Sequence, residues 1–276
     1  MNFIELLKAL LYGIVEGITE WLPISSTGHL ILLGEWCPLQ VSPQFSEMFD
    51  VVIQLGAILA VVVMYFGKLN PLAPSKSPAQ KKSTLRIWLN VIVAVLPSAV
   101  IGLLFDDWLD EHLYNYITVA ITLILYGILF ILIEKFSPKQ GQRLTDVEHI
   151  SIKTALLVGL FQVLALIPGT SRSGATILGG MMLGLSRSVA AEFSFFLAIP
   201  TMAGASLLKV VKFLADGMVL TTTEWGVLAV GCLSAFVVSL CAIKFLTDFV
   251  KKHSFTSFGI YRIVLGVLVL GYFLLF

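Results

Sequence analysis

Two carboxylates stand four residues apart near the start of the chain, in the segment EGITEWLPISSTGH. On a helix, Glu16 and Glu20 would share one face and point toward the same place. Each charge buried in lipid costs at least ~2.5–3.5 kcal/mol on insertion scales, and the two like charges also repel each other. We therefore expect a cation between them, either an arginine or a divalent metal, and oxygen ligands favour Mg²⁺ or Ca²⁺ over zinc. The alternative is an exposed helix end at the membrane interface.

Three hydroxyls, a glycine and an imidazole follow directly. They are Ser25, Ser26, Thr27, Gly28 and His29. A new helix is expected to begin here, and the free N–H groups of a helix N-terminus form an anion site. Simple N-capping is the alternative, but it accounts for one hydroxyl rather than three and a histidine. The segment predicts an anion site that also contains a nucleophile.

A second loop rich in serine and glycine carries an arginine: Ser171, Arg172, Ser173 and Gly174. A guanidinium can make bidentate contacts with phosphate oxygens, which an ammonium cannot. We predict that Arg172 binds phosphate and that its neighbours contribute to the same site. The alternative, a structural partner for the two glutamates, is compatible with catalysis.

The composition places these residues in a membrane protein. The chain has 276 residues, of which 58% are hydrophobic and 13% charged, and its mean hydropathy is +0.95. The net charge of +1 gives no field that would recruit nucleic acid. A bilayer core needs about 20 mainly apolar residues per helix. Six stretches meet this length: 49–67, 87–105, 115–133, 191–210, 225–243 and 258–276.

Two further apolar stretches, 3–36 and 152–187, are interrupted by PISSTGH and PGTSRSG. Irregular backbone at membrane depth survives only where it is buried in protein or lines a wet cavity. Each stretch therefore predicts a re-entrant helix-loop-helix element.

The two interrupted stretches resemble each other at an interval of 146 residues, shown by Gly13 and Gly159. Chance similarity of two such loops is the alternative. We predict a first repeat over 1–134, a polar linker over 135–150 and a second repeat over 151–276. Three spans per half would invert the second repeat relative to the first, as in many transporters. The expected fold is an all-α polytopic membrane protein with six transmembrane helices and two re-entrant elements in an inverted repeat.

The charges of the connecting segments predict the topology. The segment from Lys68 to Arg86 is basic, whereas the next predicted loop, from Asp106 to His112, holds four acids and no Lys or Arg. The positive-inside rule puts the basic side in the cytoplasm and both termini outside. The two re-entrant loops would then enter from opposite faces and meet. Arg187 and Glu192, near one helix end, are expected to pair with each other.

Ser26 is the favoured nucleophile because it aligns with Arg172 of the other loop. His29 would carry the proton, since its unperturbed pKa lies near 6.5, and it is expected within hydrogen-bond reach of Ser26. A phosphohistidine and attack by metal-bound water remain open. Gln54, at the start of the first span, is a further candidate for substrate binding.

Three segments resemble the undecaprenyl-diphosphatase family of the bacitracin-resistance type: EGITEWLPISSTGH, FDVVIQLGAILAVVV and PGTSRSGATILGG. The similarity runs over essentially the whole chain. It implies a multi-pass protein of the bacterial inner membrane that converts undecaprenyl diphosphate to the monophosphate carrier of cell-wall synthesis, with a divalent cation. The acidic motif of the family falls on Glu16 and Glu20, its Ser/His motif on Ser26 and His29, and its arginine motif on Arg172.

The predicted catalytic residues are thus Ser26, His29, Glu20 and Arg172, with Glu16 and Glu20 as metal ligands. A transporter or flippase of an anionic lipid is the competing function, because inverted repeats suit alternating access. A channel is disfavoured because the two polar loops differ in charge. The sequence leaves the assembly open, a homodimer included.

Overall fold

The computed structural model describes residues 2–136 and 143–275, and no strand occurs among them. The first half contains α1 (Phe3–Thr19), α2 (Ser26–Trp36), α3 (Pro43–Val52), α4 (Gln54–Met64), α5 (Phe66–Leu69), α6 (Pro78–Leu113) and α7 (Tyr116–Phe136). The second half contains α8 (Ile152–Val163), α9 (Arg172–Met182), α10 (Arg187–Ala215), α11 (Thr222–Lys252) and α12 (Thr256–Leu275), with short 3₁₀ turns at Val147–His149 and Leu164–Leu166. The all-α class is confirmed.

Six of these segments are long and apolar enough to cross a membrane, which confirms the six predicted spans. They are Pro43–Met64, Pro78–Phe105, Tyr116–Phe136, Arg187–Ala215, Thr222–Lys252 and Thr256–Leu275. Large apolar side chains remain exposed on them, for example Leu103 at 69% and Leu104 at 71%. These side chains face lipid, which is as apolar as they are.

The acidic stretch predicted as a loop is not one. The backbone from Asp106 to His112 continues helix α6, which ends at Leu113. Hydrophobicity indicates where a helix leaves the membrane but not where the helix ends. No glycine or proline lies between Gly102 and Leu113 to end α6 earlier. The second span therefore projects out of the membrane as a helix.

The two interrupted stretches form helix pairs that are too short to span. Helices α1 and α2 have 17 and 11 residues, and α8 and α9 have 12 and 11. The breaks fall where the prolines and serines predicted them. This arrangement is consistent with two re-entrant elements.

Each half inserts its first helix against the other half. A Cβ on Gly13 of α1 would lie 2.3 Å from the Gly231 carbonyl oxygen of α11, and a Cβ on Gly159 of α8 would lie 2.3 Å from the Ala94 carbonyl oxygen of α6. No side chain fits at such distances, so glycine allows both close helix crossings. Gly13 and Gly159, which suggested the repeat, thus have the same role. Each allows the first helix of its own half to pack closely against a helix of the other half.

Ion pairs between different helices lie at both ends of the spans. At one end Lys68 pairs with Glu192 at 2.9 Å, and Arg187 pairs with Glu134. The expected Arg187–Glu192 pair is therefore wrong, because each residue meets a closer partner from another helix.

At the opposite end, Lys209 pairs with Glu47 and Lys212 with Asp107, both at 2.7 Å. Lys68 and Asp107, which were predicted on opposite sides of the membrane, thus lie at opposite ends of the spans. Which end faces the cytoplasm stays a prediction. The linker at 135–150 lies partly outside the described residues, and the division into repeats at that point stays a prediction too.

Candidate functional site

The two re-entrant loops are matched in backbone conformation. Ser25 has φ 72° and Ser171 has φ 70°, and they are the only non-glycine residues with positive φ that the described ranges contain. Each caps the next helix by accepting the N–H of the residue three positions on, Gly28 at 3.4 Å and Gly174 at 3.1 Å. Such a conformation costs of order 1–3 kcal/mol and is retained where the surroundings impose it. Both loops therefore present the N-terminus of a helix in the same way.

An ion pair joins the two loops. Nη2 of Arg172 donates to Oε1 of Glu20 at 3.0 Å, and both side chains are more than 90% buried. The hydroxyl of Ser26 donates to the other oxygen, Oε2 of Glu20, at 2.7 Å. Glu20 thus connects the arginine of one loop with the favoured nucleophile of the other.

Ser194 of α10 accepts two hydrogen bonds from the guanidinium of Arg172. Nη1 of Arg172 donates to the Ser194 carbonyl oxygen at 2.8 Å and to its hydroxyl at 3.2 Å. The Arg172 guanidinium also lies over the Trp21 ring, 5.8 Å from its centroid. Its Nε has no hydrogen-bond partner in the part of the chain that the structure describes. The guanidinium is therefore oriented by three hydrogen bonds, and not all of its five N–H donors are used by the described residues.

A cavity of about 160 Å³ lies between the two loops. Six residues singled out in the sequence line it: Glu20, Ser26, Thr27, Gln54, Ser171 and Arg172. A carboxylate, three hydroxyls, an amide and a guanidinium therefore converge on one space. This donor and acceptor set suits a phosphate group.

Four further predicted binding residues lie beside the cavity. Ser25 and Gly28 form the cap of α2. Ser173 is fully buried and donates to the carbonyl oxygens of Glu20 and Leu22, at 3.0 and 3.3 Å. Gly174 is the capped position of α9. These residues shape the loops, and their contact with substrate stays a prediction.

Glu16 lies behind Glu20 and does not line the cavity. It is fully buried, and neither of its carboxylate oxygens has a hydrogen-bond partner among residues 2–136 and 143–275. One oxygen of Asp50 is likewise buried and without a partner there. No group of three or more His, Cys, Asp or Glu that could hold a metal occurs in the described ranges. Carboxylate oxygens without partners are the donor type that Mg²⁺ or Ca²⁺ takes, so the divalent cation stays a prediction.

His29 lies apart from the cavity. Its Nδ1 is 2.7 Å from the Ser25 carbonyl oxygen, and its Nε2 is 2.7 Å from the Tyr261 hydroxyl. Since a carbonyl only accepts, Nδ1 donates and Nε2 of the neutral ring accepts from Tyr261. The expected hydrogen bond to Ser26 is therefore not formed, because α2 presents His29 to α12 and the Ser26 hydroxyl turns to Glu20. The ring instead lines a separate apolar groove of about 530 Å³.

Two further polar residues, Gln162 and Arg262, were not among the predicted site residues. Gln162 lies at the position in the second repeat that Glu16 holds in the first, and it donates to the Ser98 hydroxyl at 2.7 Å. Its alignment with Glu16, at the same interval as Gly13 and Gly159, could have indicated that Gln162 lies near the site. Arg262 interrupts the last apolar span, and a charge in such a span is itself a sign of function.

Comparison with known proteins places the chain in a family. The family model described as "Bacitracin resistance protein BacA" matches residues 9–268. A protein of Enterococcus faecalis named "Undecaprenyl-diphosphatase" is 58% identical over 274 residues, covering 99% of both chains. Proteins of the same name from Lactiplantibacillus plantarum and Streptococcus thermophilus are 57% identical over 272 residues and 58% identical over 269. The former alignment covers 99% of each chain, and the latter covers 98% of this chain and 93% of its relative.

The six apolar spans and the bacterial relatives show that the chain is a multi-pass protein of the bacterial inner membrane. The match to the family model covers nearly all of the sequence, including both re-entrant loops. The chain belongs to the bacitracin resistance protein BacA family.

Proposed function

We propose that this chain hydrolyses undecaprenyl diphosphate to undecaprenyl phosphate and inorganic phosphate, which recycles the lipid carrier for cell-wall synthesis and confers bacitracin resistance. The observation that carries the proposal is the contact of Glu20 with both Arg172 and Ser26 inside a cavity at the junction of the two loops. The near-complete similarity to proteins named undecaprenyl-diphosphatase supports the same activity.

In the first step the Ser26 hydroxyl oxygen attacks the terminal phosphorus. Its proton passes to Oε2 of Glu20, which already accepts the hydroxyl hydrogen bond at 2.7 Å. The bond from phosphorus to the bridging oxygen breaks, and its electron pair leaves with undecaprenyl phosphate. Arg172 stabilises the charge on the transferring phosphoryl group through its guanidinium.

In the second step water attacks the phosphoserine. The proton held by Glu20 returns to the Ser26 oxygen as that oxygen leaves, and inorganic phosphate departs with both hydrogens of the water. A divalent cation, when bound, would neutralise part of the diphosphate charge, and Glu16 and Glu20 are the residues that would hold it. No other protein residue needs to change its protonation state.

The lipid tail has a path out of the cavity. An apolar groove of about 240 Å³ runs between α6 and α10 and shares Ser98, Leu166, Thr201 and Ala205 with the polar cavity. A diphosphate bound between the loops would place its first isoprenoid units in this groove, where apolar surface is removed from water.

The homodimer and the absence of a nucleic-acid partner stay predictions.

The test is phosphate release by the purified protein in detergent with C55 diphosphate. The expected result is equimolar phosphate and undecaprenyl phosphate, with release suppressed by EDTA and restored by excess Mg²⁺ or Ca²⁺. A transporter or flippase would instead move the lipid between leaflets of a vesicle without releasing phosphate, and that outcome would overturn the proposal.

A further inference from the structure

Arg262 of α12 is a fully buried arginine in the last membrane span. Its guanidinium contacts both re-entrant loops. Nη1 donates to the Pro23 carbonyl oxygen at 3.2 Å, and Nη2 donates to the carbonyl oxygens of Gly169 and Thr170 at 2.8 and 3.0 Å. One side chain thus connects two segments that are 146 residues apart.

The contacted carbonyls are equivalent positions of the repeat. Pro23 precedes the capping Ser25 by two residues, and Gly169 precedes the capping Ser171 by two residues. A planar guanidinium has donors in a rigid fork and can satisfy two such carbonyls at once, whereas an ammonium is a single point. Arg262 therefore holds the two helix N-termini of the site in a defined register.

The charge of Arg262 lacks an acidic partner. Among the ion pairs of the described residues none includes Arg262, and its guanidinium lies over the Tyr126 ring, 5.6 Å from the centroid. Burial of a charge without a counterion costs several kcal/mol, which hydrogen bonds to carbonyls offset only in part. An anion bound nearby would offset more of this cost.

The cavity lies directly beyond the loop that Arg262 contacts. Gly169 lines the cavity and also accepts a hydrogen bond from Nη2, so one peptide unit separates the guanidinium from the bound-ligand space. Charges interact strongly across such a short distance away from water. Arg262 therefore places a positive charge where it can act on an anion in the cavity.

We propose that Arg262 is a positioning residue for the diphosphate reaction. It holds the two re-entrant loops in register and supplies positive charge behind the cavity wall. This inference rests on the proposed function, since it concerns the same site. It assigns Arg262 no contact with the reacting atoms.

The test combines kinetics with binding of inorganic pyrophosphate as a competitor of the lipid. In Arg262→Met both contributions are lost, so kcat should fall at least ~10-fold and the inhibition constant of pyrophosphate should rise at least ~10-fold. Arg262→Lys keeps the charge but cannot reach both loops. Its kcat should fall similarly, while pyrophosphate inhibition stays within ~3-fold of the parent protein.

Arg187→Met is the matched control, because it breaks an arginine–glutamate pair that lies away from the cavity. It should lower the Tm without changing kcat or pyrophosphate inhibition. Should Arg262→Met fail to fold, Tyr126→Leu removes the ring beside the guanidinium and should weaken pyrophosphate inhibition in the same direction.

Wild-type kinetics in Arg262→Met would overturn the inference, and so would full kcat in Arg262→Lys, because charge alone would then suffice. Failure of the parent protein to release phosphate would instead overturn the proposed function. In that case the effect of pyrophosphate on the Tm would still test the role of the charge. Pyrophosphate should raise the Tm of the parent more than that of Arg262→Met, and equal shifts would overturn the role in anion binding.

Discussion

Arg172 and Glu20 lie 152 residues apart in the chain, yet Nη2 of Arg172 donates to Oε1 of Glu20 at 3.0 Å. The pair joins the two re-entrant loops at the wall of one cavity. It neutralises a carboxylate that would otherwise be buried alone, and the same carboxylate accepts the Ser26 hydroxyl. Arg172 is therefore a structural partner of Glu20 and also in place to meet a phosphate.

Arg172→Lys should keep the fold but reduce phosphate release at least ~10-fold, or about 1.4 kcal/mol in activation free energy. An ammonium retains the charge but cannot contact Glu20, Ser194 and a phosphate together. Arg187→Lys is the matched control, since Arg187 also makes a two-pronged contact with a carboxylate, Glu134. Arg172→Lys activity within a factor of about 3 of the parent would mean that Arg172 is structural.

Glu16→Gln and Glu20→Gln should alter the dependence on divalent cation in different ways. Glu16 has two carboxylate oxygens without described partners, so its change should raise the half-saturating cation concentration about 10-fold while kcat recovers at high metal. Glu20→Gln removes the proton acceptor and should lower kcat even at saturating cation.

Glu192→Gln, which alters a carboxylate paired with Lys68 at a helix end, should leave the metal titration unchanged. Identical metal titration curves for the parent and both test variants would remove the metal-ligand assignment.

Much of this site could be predicted from local sequence. The loops contain runs of proline, serine and glycine inside apolar stretches, so their positions and the convergence of Ser26 with Arg172 followed from pattern and repeat. The orientation of His29 and the role of Arg262 depend on where α12 packs, which no local pattern encodes. The same applies to the Arg187 pair, whose partner Glu134 comes from a different helix.

Gly204→Leu should obstruct the proposed path of the lipid tail. Gly204 lines the groove between α6 and α10, and a Cβ there meets no atom within 4 Å, so a leucine side chain would extend into the space of the groove. Leucine also favours the helix by up to ~1 kcal/mol over glycine, so lost activity would not reflect a weaker helix. We expect kcat/KM to fall ~10-fold for C55 diphosphate and less for a short-chain diphosphate.

Gly271→Leu on α12 is the matched control for Gly204→Leu, because a Cβ there also meets nothing within 4 Å. Equal effects of the two substitutions, or equal losses for long and short tails, would exclude the groove as the tail site.

Single cysteines at Lys81 and Glu111 should react with an impermeant thiol reagent from opposite faces of the membrane, after Cys37, Cys232 and Cys241 are replaced. The basic segment at the start of α6 and the acidic stretch at its end motivate this topology. A cysteine at Lys252 should react from the same face as one at Lys81. Both positions lie near the ends of α6, so labelling of Lys81 and Glu111 positions from one face would contradict a membrane-spanning α6.

His29→Ala tests His29 as the alternative nucleophile to Ser26. Both ring nitrogens of His29 already contact Ser25 and Tyr261, so loss of the ring should slow phosphate release without abolishing it. Because only Glu20 takes up the Ser26 proton in the proposed reaction, the pH profile should keep its shape, and a changed profile would show that the His29 ring carries a proton.

Phosphate release by Ser26→Ala protein tests the central claim most directly. Ser26 lines the cavity and shares Glu20 with Arg172, so its removal should abolish phosphate release while C55 diphosphate still binds. The matched measurement is rapid-quench trapping of a phosphoenzyme in the parent and in Ser26→Ala. We predict that the parent forms a phosphoenzyme and that Ser26→Ala forms none. Turnover near the parental rate in Ser26→Ala, or an acid-labile, base-stable phosphoenzyme that persists in it, would contradict the assignment and point to water or His29.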